Sequence, residues 1–359
     1  MSFRSPILAI ALGWSAISSF AAPVEIIPLE LRGAVQPQIA VSPDGRIHVV
    51  FGRENAIYHT SSLDGRTFSP AVKVGALEKL ALRVRRGPRV VATDKLITVA
   101  AISHVDGNLH AWTSGDGGQT WKEGAPLNTS SKSAREGMQA LAGDGVGLVV
   151  AVWLDDRSGG KELWSRASHD GGLIWQPDAR VYASPDGHVC ECCQPSVAIG
   201  PHGEVAAMWR NWLDGSRDLW LATSKDGGQT FGTAQKLGTG TWKFNACPMD
   251  GGSVTFDALG KPLTVWRREK TVFVSRNDAP EQLLASRAQQ PVVNITKDGP
   301  LFVWEQDGGL ILRRGASAAA RLADRATAPA VGRTREGNAV VVWESSTTAP
   351  PTMLAEVLR

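Results

Sequence analysis

Val150-Ala151-Val152-Trp153, Ala206-Ala207-Met208-Trp209, Leu263-Thr264-Val265-Trp266, Leu301-Phe302-Val303-Trp304 and Val340-Val341-Val342-Trp343 are one short pattern written five times. Val49-Val50-Phe51 fills the same slot earlier in the chain. Each is a short β-like run that ends in an aromatic. A turn precedes these runs, as in Pro43-Asp44-Gly45, Pro201-His202-Gly203 and Lys297-Asp298-Gly299. Asp and Gly tolerate the backbone angles such turns need.

Upstream of each turn lies another run, often reached through an X-Pro pair: Gln36-Pro37, Gly87-Pro88, Gln194-Pro195, Cys247-Pro248, Gln290-Pro291 and Ala328-Pro329, with Gly137-Met138 in the third repeat. Proline at the first residue of a strand removes no ladder donor. The count is seven repeats spaced roughly 40–55 residues apart, the spacing of propeller blades. The last repeat holds only three runs, ending with 353–358, and an unused strand, 24–31, stands at the other end. Pairing the two closes a ring and leaves no free sheet edge. The expectation is an all-β propeller of seven four-stranded blades, its N-terminal strand completing the last blade, as a single domain over 22–359. Six blades is the alternative, because the stretch from Lys79 to Arg86 permits another division.

Four turns share a further signature: Ser62-Leu63-Asp64-Gly65-Arg66-Thr67-Phe68, Ser114-Gly115-Asp116-Gly117-Gly118-Gln119-Thr120-Trp121, Ser168-His169-Asp170-Gly171-Gly172-Leu173-Ile174-Trp175 and Ser224-Lys225-Asp226-Gly227-Gly228-Gln229-Thr230-Phe231. The set resembles the Asp-box (bacterial neuraminidase) repeat of sialidases and related propellers. Its first copy is one residue short, and its third has Ile174 in place of Thr. The Asp carboxylate accepts hydrogen bonds from turn N–H groups and Gly takes positive φ, so these aspartates read as structural.

At the N-terminus, Arg4 followed by a mostly apolar stretch from Pro6 to Phe20 reads as a secretory signal, with cleavage after Ala21. That stretch is too short to span a bilayer, and no later segment is long and apolar enough. The expected location is secreted or periplasmic. A net charge of +3 with no Lys/Arg run argues against nucleic acid as a partner.

In a blade, the lead-in to the first strand and the loop after the second share one face, where they crowd the central axis into a concave mouth. Arginines fall in those loops, Arg53, Arg157, Arg210 and Arg267, and carboxylates share them, including Asp156, Glu305 and Glu344. Converging guanidinium groups suit a small anionic or glycan ligand; salt bridges between blades, such as Arg157 with Asp156, are the other reading. All four cysteines fall in Cys190-Glu191-Cys192-Cys193 and Cys247. Aligning the repeats puts Cys247 in the slot of Gln194, which sends both stretches to one mouth. His188, Met249 and Met138 are placed nearby. These soft donors favour copper, with zinc possible. In an oxidising compartment the same cysteines also read as two disulfides.

The resemblance to sialidases implies three arginines on a sialic acid carboxylate, a Tyr–Glu nucleophile and an Asp acid/base. An early Arg-Ile-Pro signature is absent, and the only tyrosines are Tyr58 and Tyr182, neither in the later blades. Tyr182 lies close before the cysteine loop. Asp156 and Glu305 are candidate carboxylates for hydrolysis of another glycoside. Three function classes follow: a binding protein with its ligand or metal ion at the cysteine-bearing mouth, a glycoside hydrolase, and a scaffold for an envelope protein.

Overall fold

The computed structural model describes residues 22–276 and 279–359, so the expected signal segment lies outside the described residues. Seven antiparallel four-stranded sheets form in chain order. Their innermost strands are Val35–Val41, Arg89–Ala92, Gln139–Gly143, Ser196–Ile199, Ser253–Phe256, Gln289–Thr296 and Ala326–Arg333. Each inner strand packs against the inner strands of the blades before and after it, and the first packs against the seventh, so the sheets make a closed ring. Blade 7 takes its outer strand from the N-terminus: Val24 and Glu25 pair with Ala355 and Leu354. That strand is shorter than the expected 24–31, since Leu29–Leu31 coil into a 3-10 turn. The seven-blade division holds, and 79–86 is an irregular loop ahead of blade 2.

The repeated aromatic has one job. Trp153, Trp209, Trp266, Trp304 and Trp343 end the second strands and are wholly buried. Each packs into the preceding blade: Trp209 meets Val150 and Val152 of blade 3, and Trp304 joins Leu263 and Val265 of blade 5. Phe51 does the same against Val340 and Val342 of blade 7. Blade 2 has Ala101 at this position, and Trp112 of its third strand fills the seam with blade 1 instead. The indole lies against Gly75, where a Cβ would stand 2.7 Å from the ring; only glycine fits there.

The four Asp boxes hold their turns as expected. Asp116 accepts from the Gln119 and Thr120 N–H groups and from the Ser114 and Thr120 hydroxyls, and these bonds hold its carboxyl well below the usual range. Ile174 keeps the backbone bond to Asp170 but supplies no hydroxyl. Trp121 and Trp175 return their indole N–H to Gly118 and Gly172.

Glu356, in the third strand of blade 7, is 4% exposed and one of its carboxylate oxygens has no partner. Burial raises its pKa from 4.5 to about 7. The folded state therefore holds this proton more tightly than the unfolded chain. That contribution is fully present below pH 4.5 and is lost as pH rises through about 7. Glu356→Gln is expected to stabilise the protein above neutrality, on the order of 1–3 kcal/mol, with little effect near the acid end. Urea unfolding of both proteins at the two pH extremes checks it; equal midpoint differences at both would refute the titration.

Candidate functional site

In blades 4, 6 and 7 the residue just after the seam aromatic, Arg210, Glu305 or Glu344, reaches across to the next blade. Glu305 accepts the backbone N–H of Ala328 at 2.9 Å, and Glu344 accepts that of Gln36 at 2.7 Å. Asp250, in the lead-in to blade 5, accepts the N–H of Gln290 at 2.8 Å. All three N–H donors have left-handed backbones, Gln36 (φ 59°), Gln290 (φ 53°) and Ala328 (φ 52°). There the inner strands bulge out of register, which leaves an N–H that a carboxylate can take. Burial raises the Glu344 carboxyl above its usual range, and the nearby Glu305 charge adds to the effect.

The four expected ligand arginines are engaged with the protein itself. Arg210 is 1% exposed and donates to the carbonyls of Asp250, Arg217 and Arg267. Arg157 forks onto Asp155 and reaches Asp178, so its partner is not Asp156, which pairs with Arg135 and Lys161. Arg267 donates to the Glu269 carbonyl and lies 3.6 Å from Asp250. Arg53 donates to the Glu30 carbonyl. Tyr182 packs in the seam between blades 3 and 4, its ring on Trp209 and its hydroxyl on the Asn211 amide.

The cysteines split three and one. Residues 190–193 form a turn closed by the Cys193 N–H on the Cys190 carbonyl, not a strand, so neighbouring side chains can face one way. The Sγ atoms of Cys190, Cys192 and Cys193 lie 3.5, 3.6 and 4.0 Å apart and are buried. Cys247 is exposed and outside this group, and all four are free thiols. Register explains the separation. Ser196 and Ser253 occupy equivalent positions opposite Met208 and Val265, so the slot of Gln194 belongs to Gly251, not Cys247. A Cβ on Gly251 would stand 2.0 Å from the Gln194 carbonyl. Met249 packs against the cluster that these three cysteines form. Met138 is buried between blades 3 and 4, and His188 is exposed, its ring facing the Lys161 N–H.

Arg217, which the sequence reading passed over, donates to Cys190 Sγ at 2.9 Å and is held by the Phe244 carbonyl and the Trp212 ring. Burial opposes ionisation of Cys193, yet the Cys190 and Cys192 thiols, the Arg210 guanidinium and the Asp250 N–H together hold its pKa well below a cysteine's ordinary value.

A family model described as a BNR repeat-like domain matches residues 100–246. The chain is a seven-bladed β-propeller with Asp-box turns, and its middle blades carry the BNR repeat. The propeller is similar to three solved structures at levels of identity that speak to fold. A protein of unknown function from Dyadobacter fermentans is 16% identical, covering 95% of this chain and 99% of that one, with TM-score 0.55. An alpha-L-arabinanase from Penicillium chrysogenum, complexed with arabinobiose, is 12% identical over 94% and 98% of the two chains, TM-score 0.54. The six-bladed fucose lectin of Aleuria aurantia is 10% identical over 82% and 98%, TM-score 0.52. No curated protein matches the sequence.

Removing the Arg210 side chain strands two buried carbonyls, of Asp250 and Arg217, and the half-buried one of Arg267 at the seam of blades 4 and 5. Arg210→Ala is expected to cost at least about 3 kcal/mol of stability; a denaturant midpoint close to that of the parent protein would show that the seam does not need it.

Proposed function

We propose that the propeller is an exported binding protein that holds a soft metal ion, Cu(I) foremost and Zn(II) next, on Cys190, Cys192 and Cys193. The observation that carries this reading is the mutual spacing of three buried sulfurs, 3.5–4.0 Å. Thiolates bound tetrahedrally at a zinc distance stand about 3.8 Å apart, so the turn presets the ligand spacing. Three thiolates on one ion leave an excess of negative charge. Arg217 at Cys190 and Arg210 near Cys193 offset it. The Met249 thioether adds a donor type that favours Cu(I) over harder ions. Protein purified from the periplasm is expected to carry about one copper or zinc per chain, and Cys193→Ser to lose it. A disulfide within the trio, together with no metal uptake after mild reduction, would overturn the proposal.

A second reading, glycoside hydrolysis, is favoured by one observation: Glu344 has a raised carboxyl beside the Glu305 charge at the mouth, as a general acid and its partner would require. The arabinanase and the fucose lectin are sugar-binding proteins on a similar fold. Turnover of an aryl arabinofuranoside or sialoside that falls at least about a hundredfold in Glu344→Gln is the expected result if this chemistry operates. No turnover by the parent protein removes it.

A further inference from the structure

Below the mouth, the inner strands enclose an axial cavity of about 270 Å³. At one level of this ring the seven strands carry Gln38, Arg89, Ala140, Ser196, Ser253, Val292 and Ala330. Each pairs with the residue just before the seam aromatic, or before Ala101 in blade 2. Arg89 is the one charge in that layer. It is 4% exposed, its terminal nitrogens go to the backbone carbonyls of Arg85, Gly87 and Pro88, and its Nε has no partner. A buried N–H left unpaired costs free energy. Burial and the neighbouring Arg85 charge both disfavour this cation.

The walls are rich in donors. Ser196 Oγ accepts the Val254 N–H and Ser253 Oγ accepts the Val293 N–H, each at 3.2 Å, which leaves both hydroxyl protons free to donate inward. Arg85 reaches across the rim to Gln290 and to the Pro329 carbonyl. Asp250, the one carboxylate in the lining, is already engaged by the Gln290 N–H and faces Arg267.

We infer that the axial cavity is a binding site for one small oxyanion, a carboxylate or phosphate, anchored by Arg89 and the Ser196 and Ser253 hydroxyls beneath Arg85. The volume suits a small acid and excludes an oligosaccharide. The site takes its anchors from side chains other than the cysteines and needs no metal.

The test is thermal unfolding and calorimetric titration of the full chain with sodium acetate and, separately, inorganic phosphate, against sodium chloride at matched ionic strength. Saturable one-site binding of acetate or phosphate is expected, and which of them binds names the headgroup. Ser196→Ala/Ser253→Ala is expected to weaken it roughly tenfold or more, and Arg89→Gln to abolish it. If Arg89→Gln does not fold, the serine double variant decides alone. No stabilisation beyond the chloride control, or undiminished binding in the folded variants, would overturn the assignment.

Discussion

The ring depends on an aromatic wedge in each seam, supplied by the second strand in every blade but one. Adjacent four-stranded sheets are twisted and meet face to face only near the axis, so a bulky buried group must fill the widening seam. Trp153, Trp209, Trp266, Trp304 and Trp343 do this for five seams and Phe51 for a sixth. Where the second strand of blade 2 offers only Ala101, Trp112 fills the gap, at the cost of a glycine opposite it. The wedge sets the register of everything next to it, because the residue after it emerges at the mouth and the one before it faces the inner strand.

That placement gives the mouth its polar character. In blades 6 and 7 the residue after the wedge is Glu305 or Glu344, which accepts a left-handed N–H of the next inner strand. In blade 4 it is Arg210, which meets carbonyls of blade 5. Opposite charges at one structural position thus serve the same end, the pairing of backbone groups exposed where strands bulge. A row of arginines after a row of tryptophans is a sign of seams before it is a sign of ligand.

Blade number, closure and Asp-box turns were legible because each rests on a pattern repeated at fixed spacing. The mouth was less so. The repeats hide a four-residue offset between Cys247-Pro248 and the true lead-in to blade 5, Gly251-Gly252, so the fourth cysteine was misplaced. The trio survived because local chain geometry alone gathers Cys190, Cys192 and Cys193. Arg85 lies in the irregular stretch that had made the blade count ambiguous, and Arg89 begins a strand where six equivalents are uncharged. A tabulation of that layer from the repeat alignment would have singled out Arg89; nothing in the sequence shows Arg85 crossing the axis.

Asp250 ties these parts together. Its N–H supports the Cys193 sulfur, its carbonyl accepts two nitrogens of Arg210, and its carboxylate takes the Gln290 N–H at the rim of the axial cavity. The N–H, the carbonyl and one carboxylate oxygen of this one buried residue are committed to three different partners, and Met249 before it adopts a left-handed backbone (φ 51°). A residue so constrained cannot shift toward one neighbour without loosening the others. The sulfur turn is therefore seated against a fixed seam, not on a free loop, and its three thiols keep their spacing because the ring itself holds the ground beneath them.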